Sequence, residues 1–120
     1  MKPILFLILF LFVSSLNAEG ISGVWATGKH NTLVEIDTHK QPIVGKVVKT
    51  DANKGVIGTV ILKKFSKVND SWHVTIFAPE RDKHYPAILT TNGDVLELEV
   101  DVGFFTKDVE WQRQKITNKN

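Results

Sequence analysis

Two short motifs near the ends of the chain constrain its fold more than anything between them. Gly23-Val24-Trp25 stands early and Trp111-Gln112-Arg113 stands late. The stretch separating them reads as short strands without a helical period. A Gly-x-Trp on a first strand and an Arg on a last strand are what a small meander barrel needs if its two ends are to meet. The planar guanidinium of Arg113 can then lie on the indole face of Trp25, a cation–π contact of about 0.5–2 kcal/mol depending on burial. Gly23, Trp25, Trp111 and Arg113 are therefore expected to close the sheet and plug one of its mouths.

Strand-like runs recur at Val24–Thr27, Thr32–Asp37, Pro42–Lys49, Val56–Phe65, Trp72–Ala78, Tyr85–Thr90, Asp94–Asp101 and Lys107–Arg113, with turn signals between them. Asn92-Gly93 is the strongest of those signals, because both central residues of a type I′ turn need positive φ. Alternation is clearest late in the chain: Leu96, Leu98 and Val100 share one face, and Glu97, Glu99 and Asp101 the other. Trp72, Val74 and Ile76 alternate with His73, Thr75 and Phe77, and Val109, Trp111 and Arg113 lie opposite Asp108, Glu110 and Gln112. One apolar face per strand and short connections imply antiparallel neighbours. About eight such strands close into a barrel just wide enough for side chains or one small ligand. The expected fold is therefore all-β, a small antiparallel meander β-barrel. An open sandwich is the alternative, and it would leave edge strands to protect.

Met1-Lys2 supplies a positive charge, Ile4 to Val13 is unbroken apolar sequence, and Ser14-Ser15-Leu16-Asn17-Ala18 turns polar and ends small. That order reads as a secretory signal peptide over residues 1–18, cut after Ala18. The apolar run is well short of the ~20 residues that span a bilayer, so no transmembrane segment is expected after cleavage. Residues 19–120 form the single barrel domain, expected to be periplasmic or secreted. The chain has no Cys, hence no disulfide, no thiolate nucleophile and no lipid-attachment site. An exported domain of this size without staples depends on its apolar core, which favours a closed architecture.

Several features in order carry a family resemblance. They are Gly23-Val24-Trp25, a valine-rich strand with Gly45-Lys46, the turn Asp51-Ala52-Asn53, and Gly58 before an aliphatic strand. Trp72, Pro79-Glu80 followed by Tyr85, Leu96, Gly103 and the closing Trp111-Gln112-Arg113 continue the pattern. Together they resemble DUF2147, a family of exported bacterial proteins, and the resemblance implies a lipocalin-like or calycin-like barrel. Departures fall at three places. The loop from Asp51 to Gly58 is shorter than the family's Asn-Pro-containing stretch and lacks its Arg. His73 and Val74 replace glycines that commonly follow the Trp, and Glu99-Val100 stand where an Arg-Gly pair is usual. The family carries no assigned activity, so the resemblance implies a fold and not a reaction.

Charge is uneven along the chain. Residues 19–67 hold eight Lys against four Asp and Glu, and residues 68–120 hold six Lys and Arg against nine Asp and Glu. Lys46, Lys49, Lys63, Lys64 and Lys67 can form a basic patch suited to an anionic envelope component such as lipid head groups or peptidoglycan; a solvated strand face is the plainer reading. The aromatics are not interleaved with these lysines as single-stranded nucleic acid requires, so no nucleic-acid partner is expected. If the last two strands pair, Glu97, Glu99 and Asp101 face Asp108 and Glu110, and like charges directly opposite are destabilising. Lys107, a cation or a basic partner would have to offset them.

Catalytic signals are weak. His30, His39, His73 and His84 lack the close spacing of a zinc motif. No Asp-rich loop supplies the oxygen cage of calcium, and there is no nucleophile elbow, phosphate loop or His-Glu-x-x-His. The chain is accordingly read as non-catalytic and without a cofactor or metal. Trp72, Phe77, Tyr85, Phe104 and Phe105 are expected near an open barrel mouth that holds a small apolar or amphipathic, lipid-like ligand. In the alternative these aromatics complete a filled barrel, and the protein is an envelope interaction or stress module acting through its charged surfaces.

Overall fold

A computed structural model describes residues 20–53 and 56–115. The expected leader, residues 1–18, lies outside the described residues. Eight strands follow one another: β1 (Gly23–Ala26), β2 (Leu33–Ile36), β3 (Gly45–Lys49), β4 (Val60–Val68), β5 (Ser71–Ala78), β6 (Lys83–Asn92), β7 (Val95–Asp101) and β8 (Thr106–Arg113). Each pairs antiparallel with the next, and β8 returns to β1 through Trp25↔Arg113 and Ala26↔Gln112, so the sheet is a closed barrel. The all-β meander barrel expected from the alternation is the observed fold. Among the described residues there is no helix, and none long and apolar enough to cross a membrane.

Period-two patterning decides which side chains enter the barrel. In β7 the burial alternates strictly, with Leu96, Leu98 and Val100 buried and Glu97, Glu99 and Asp101 exposed. Trp25, Val34, Ile36, Leu62, Leu89, Leu96 and Leu98 are fully enclosed, each worth up to about 1.5–3 kcal/mol relative to exposure. Gly45 faces the same interior, and a Cβ there would stand 3.0 Å from the Leu62 side chain. The glycine therefore makes room for Leu62 where the short strand β3 crosses the core.

Strand boundaries shift from the sequence expectation at several places: β3 begins at Gly45 rather than Pro42, β6 extends to Lys83 and Asn92, and both ends of β4 move for local reasons. The run beginning at Val56 does not enter the ladder until Val60. Val56 to Thr59 form a turn instead, in which the Thr59 N–H and hydroxyl both donate to the Val56 carbonyl at 3.0 and 2.6 Å. Further along β4 a bulge between Lys63 and Ser66 puts Lys64 at φ 58°, which breaks the alternation and lets the strand run on to Val68. The Asn92-Gly93 hairpin is also built differently from the type I′ turn expected. Asn92 pairs with Val95, so the two-residue loop is Gly93-Asp94. Gly93 has φ 67° while Asp94 stays on the ordinary side, the signature of a type II′ turn.

The topology gives the barrel two unlike ends. One carries residues 20–22, the β2–β3 connection, the β4–β5 and β6–β7 turns and the end of β8. The other carries the β1–β2, β3–β4, β5–β6 and β7–β8 connections.

Candidate functional site: a plugged barrel with charged walls

Arg113 closes the first end. Its guanidinium carbon lies 4.3 Å from the centroid of the Trp25 ring. Nη1 donates to the Ser22 carbonyl at 2.8 Å, and Nη2 donates to the carbonyls of Gly20 at 3.0 Å and Gly93 at 3.3 Å. Nε lies 3.2 Å from the Asp94 carboxylate, which also meets Lys115 at 3.6 Å. The indole N–H of Trp25 donates to the Ile21 carbonyl at 3.0 Å, and Ile21 is buried beneath the strap so formed. Gly23 is required twice over. Its φ is 141°, and a Cβ on it would stand 2.8 Å from Arg113 Nη1. Gly23, Trp25 and Arg113 thus converge, while Trp111 is buried in the core opposite Leu96. Residues 20–22 as the strap's acceptors had no sequence signal beyond their place before Gly23.

Of the five aromatics expected at a mouth, Phe77, Tyr85, Phe104 and Phe105 lie toward the end that carries the β5–β6 and β7–β8 connections, and Trp72 lies at the other. Trp72 lies near the β4–β5 turn, at the plugged end, edge-on to Phe65 and beneath the Lys67 ammonium. Phe77 and its cross-strand partner His84 stack with centroids 4.8 Å apart near the β5–β6 turn. Tyr85, beside them, packs on the core. Phe104 and Phe105 sit together in the β7–β8 connection, with rings 5.2 Å apart. Between the two ends Trp25, Val34, Ile36, Leu62, Leu89, Leu96 and Leu98 are enclosed in the interior. Two clefts open on the outside of the wall, one beside Val24, Glu35 and Arg113, the other beside His73, Pro86, Ile88 and Glu99.

The walls are where charge is organised. β3 and β4 contain Lys46, Lys49, Lys63, Lys64 and Lys67 and no carboxylate; all but the half-buried Lys63 are exposed. β7 and β8 pair as the sequence predicts, with Glu97 opposite Glu110 and Glu99 opposite Asp108. With Asp101, these make five exposed carboxylates on one wall. In a closed eight-strand order the β3–β4 and β7–β8 pairs are four strands apart on either path, so the two walls face opposite ways. The carboxylates are strung along two strands rather than converging. Among the described residues no group of three or more His, Cys, Asp or Glu side chains could hold a metal ion.

A family model described as an uncharacterized protein conserved in bacteria, DUF2147, matches residues 23–113. Neither the curated proteins nor the solved structures compared with the chain match it. The matched span opens at Gly23 on β1 and ends at Arg113 on β8, the two strands whose pairing closes the barrel, and by that match the chain belongs to the DUF2147 family of bacterial proteins.

Proposed function

We propose that the protein is an exported, non-catalytic module of the cell envelope that works through its outer walls rather than through its lumen. The observation that carries this reading is the segregation of charge. The lysines of β3–β4 and the carboxylates of β7–β8 occupy opposite sides of one small barrel. Such a surface attracts an anionic partner to one side and repels it from the other, which orients the encounter as well as speeding it. The packing gives no support to a lipid-like ligand held inside, because Trp25, Leu62, Leu89, Leu96 and Leu98 already occupy the interior. Export rests on the signal-like order of residues 1–18.

The basic wall is the working face. Exposed charges interact over a Debye length of about 8–10 Å, so attraction to an anionic surface should weaken steeply with salt. Retention of the purified protein on isolated cell-wall material and on anionic vesicles, measured across a NaCl series, tests this. Lys63→Glu/Lys64→Glu should lose most of the low-salt binding, whereas Glu97→Lys/Glu99→Lys should keep it or strengthen it. Equal losses from both variants, or none from either, would refute the oriented-wall reading.

A further inference from the structure

Apolar surface is as unevenly placed as charge. Among the described residues seven large hydrophobics stand exposed, and Val68 alone is at the plugged end. Val48, Val56, Ile57 and Val60 surround the β3–β4 connection, and Phe104 and Phe105 form the β7–β8 connection, all at the opposite end. Exposure is high at the tips: 92% for Phe104, 69% for Val56, 62% for Ile57 and 52% for Phe105.

These tips are held outward by their own backbones. The Val102 N–H donates to the Phe105 carbonyl at 3.1 Å, and the Gly103 N–H donates to the Asp101 carboxylate at 2.9 Å. In the other connection the Gly58 N–H donates to the Val47 carbonyl at 2.7 Å, and Thr59 is bonded twice to Val56. Turns fixed in this way present apolar side chains to water without offering them a route to the core. The two connections are four strands apart in the closed order, so they form two knuckles on opposite sides of one barrel end. Between them lie polar turns, with Lys29 and His30 on one side and Glu80, Arg81 and Asp82 on the other. Lys46 and Lys49 rise behind the Val56–Ile57 knuckle. Of the neighbouring carboxylates, the exposed Glu35 stands opposite Lys46 across the β2–β3 ladder, Asp51 accepts from the Asn31 amide and Asp101 accepts from Gly103.

We propose that this end of the barrel docks on a phospholipid bilayer. Phe104, Phe105, Val56 and Ile57 enter the boundary between head groups and acyl chains, and Lys46 and Lys49 meet anionic phosphates. The inference rests on the reading of the β3–β4 wall as a face for anionic partners, and it names that partner. Separated apolar knuckles with polar turns between them need a matched pocket apiece on a protein, whereas a bilayer accepts both at once. Interfacial binding scales with buried apolar area plus attraction to anionic lipid; the Val56–Ile57 knuckle has both terms, while Phe104 and Phe105, at the tip of the acidic β7–β8 wall beside Asp101 and Asp108, contribute apolar area alone.

Co-sedimentation with vesicles of phosphatidylethanolamine and phosphatidylglycerol, compared with phosphatidylcholine alone, tests the proposal together with a positional probe. The chain has no Cys, so Phe104→Cys and, at the plugged end, Asn92→Cys each accept a single environment-sensitive dye. The dye at position 104 should shift to the blue on adding anionic vesicles and the dye at 92 should not. Phe104→Ser/Phe105→Ser alters only exposed tips and should unfold at the parent temperature. It should weaken partitioning about tenfold or more, a change of about 1.4 kcal/mol or more. Parent-like partitioning of that variant, or a dye at 104 that stays in water, overturns bilayer insertion. Lys63→Glu/Lys64→Glu reports on the charged wall separately. If it loses binding while position 104 remains wet, the wall reading stands and insertion falls. If it binds like the parent while position 104 is buried, insertion stands on its apolar tips and the wall reading falls. Concentration-dependent self-association without vesicle binding also overturns insertion.

Discussion

Replacing Arg113 by Ala should unfasten the barrel at its seam. The side chain is only 16% exposed and links three parts of the chain: the strap at Gly20 and Ser22, Trp25 on β1, and the turn at Gly93 and Asp94. The ion pair with the half-exposed Asp94 contributes little, at most about 1 kcal/mol. The stacking on Trp25 adds about 0.5–2 kcal/mol. Hydrogen bonds from a charged donor to the Ser22 and Gly20 carbonyls add about 1.5–3 kcal/mol for the better of them. These terms share one side chain and do not sum freely, so a loss of about 2–4 kcal/mol is expected. For a domain of this size each kcal/mol moves the melting temperature by roughly 4–8 °C. Urea unfolding followed by tryptophan fluorescence measures the loss. Arg113→Lys should recover less than half of it, because an ammonium cannot reach the strap carbonyls and lie flat on the indole together. Arg113→Met should recover only the packing of the stem. A parent-like midpoint for Arg113→Ala, or full rescue by Lys, would refute the closure reasoning.

Other predictions concern the core, the acidic wall and export. Gly45→Ala should destabilise by about 1–3 kcal/mol, because its Cβ would press on the enclosed Leu62; Leu62→Val in the same chain should return part of that in thermal unfolding. Glu99→Lys, opposite Asp108, should raise stability by about 0.2–1 kcal/mol; NaCl, which screens the repulsion between these carboxylates, should raise the melting temperature of the parent modestly and that of the variant less. Calorimetric titration with calcium should give no saturable binding to the same wall, and a saturable isotherm lost in Glu99→Gln would contradict this. N-terminal sequencing of the exported fraction should begin near Glu19; an intact leader on a membrane-bound product would overturn the export reading.

Much of this architecture was legible because period-two patterning is a local property. Leu96-Glu97-Leu98-Glu99-Val100 names its buried face without help from any other strand, and the meeting of the β7 carboxylates with those of β8 followed from it, although the register that sets Asp101 opposite Thr106 did not. The Trp25–Arg113 contact was legible for a different reason, since only closure brings two such distant motifs together. What the sequence hid depends on backbone geometry. Val56 and Ile57 extend the apolar run into β4, and nothing in their side chains reveals that Thr59 turns them outward. The bulge at Lys64 likewise resets the alternation of β4 without a glycine to mark it. Composition says nothing about ends, so Trp72 could not be told apart from the other aromatics: it lies by the β4–β5 turn, while Phe77, Tyr85, Phe104 and Phe105 lie toward the far end of the barrel. The strap of Gly20 and Ser22 was invisible because it acts through carbonyls, which every residue possesses.

Native mass spectrometry of the protein purified from its own envelope tests the filled barrel most directly. Enclosed side chains such as Leu62, Leu89 and Leu98 crowd the interior, so the mass should be that of the bare processed chain under conditions gentle enough to keep lumenal lipid in place. A stoichiometric adduct of lipid mass, displaced by an unlabelled competitor and lost when Leu89 is enlarged to Trp in a variant that still folds, would show that the interior holds a ligand and that the walls are not the working surface.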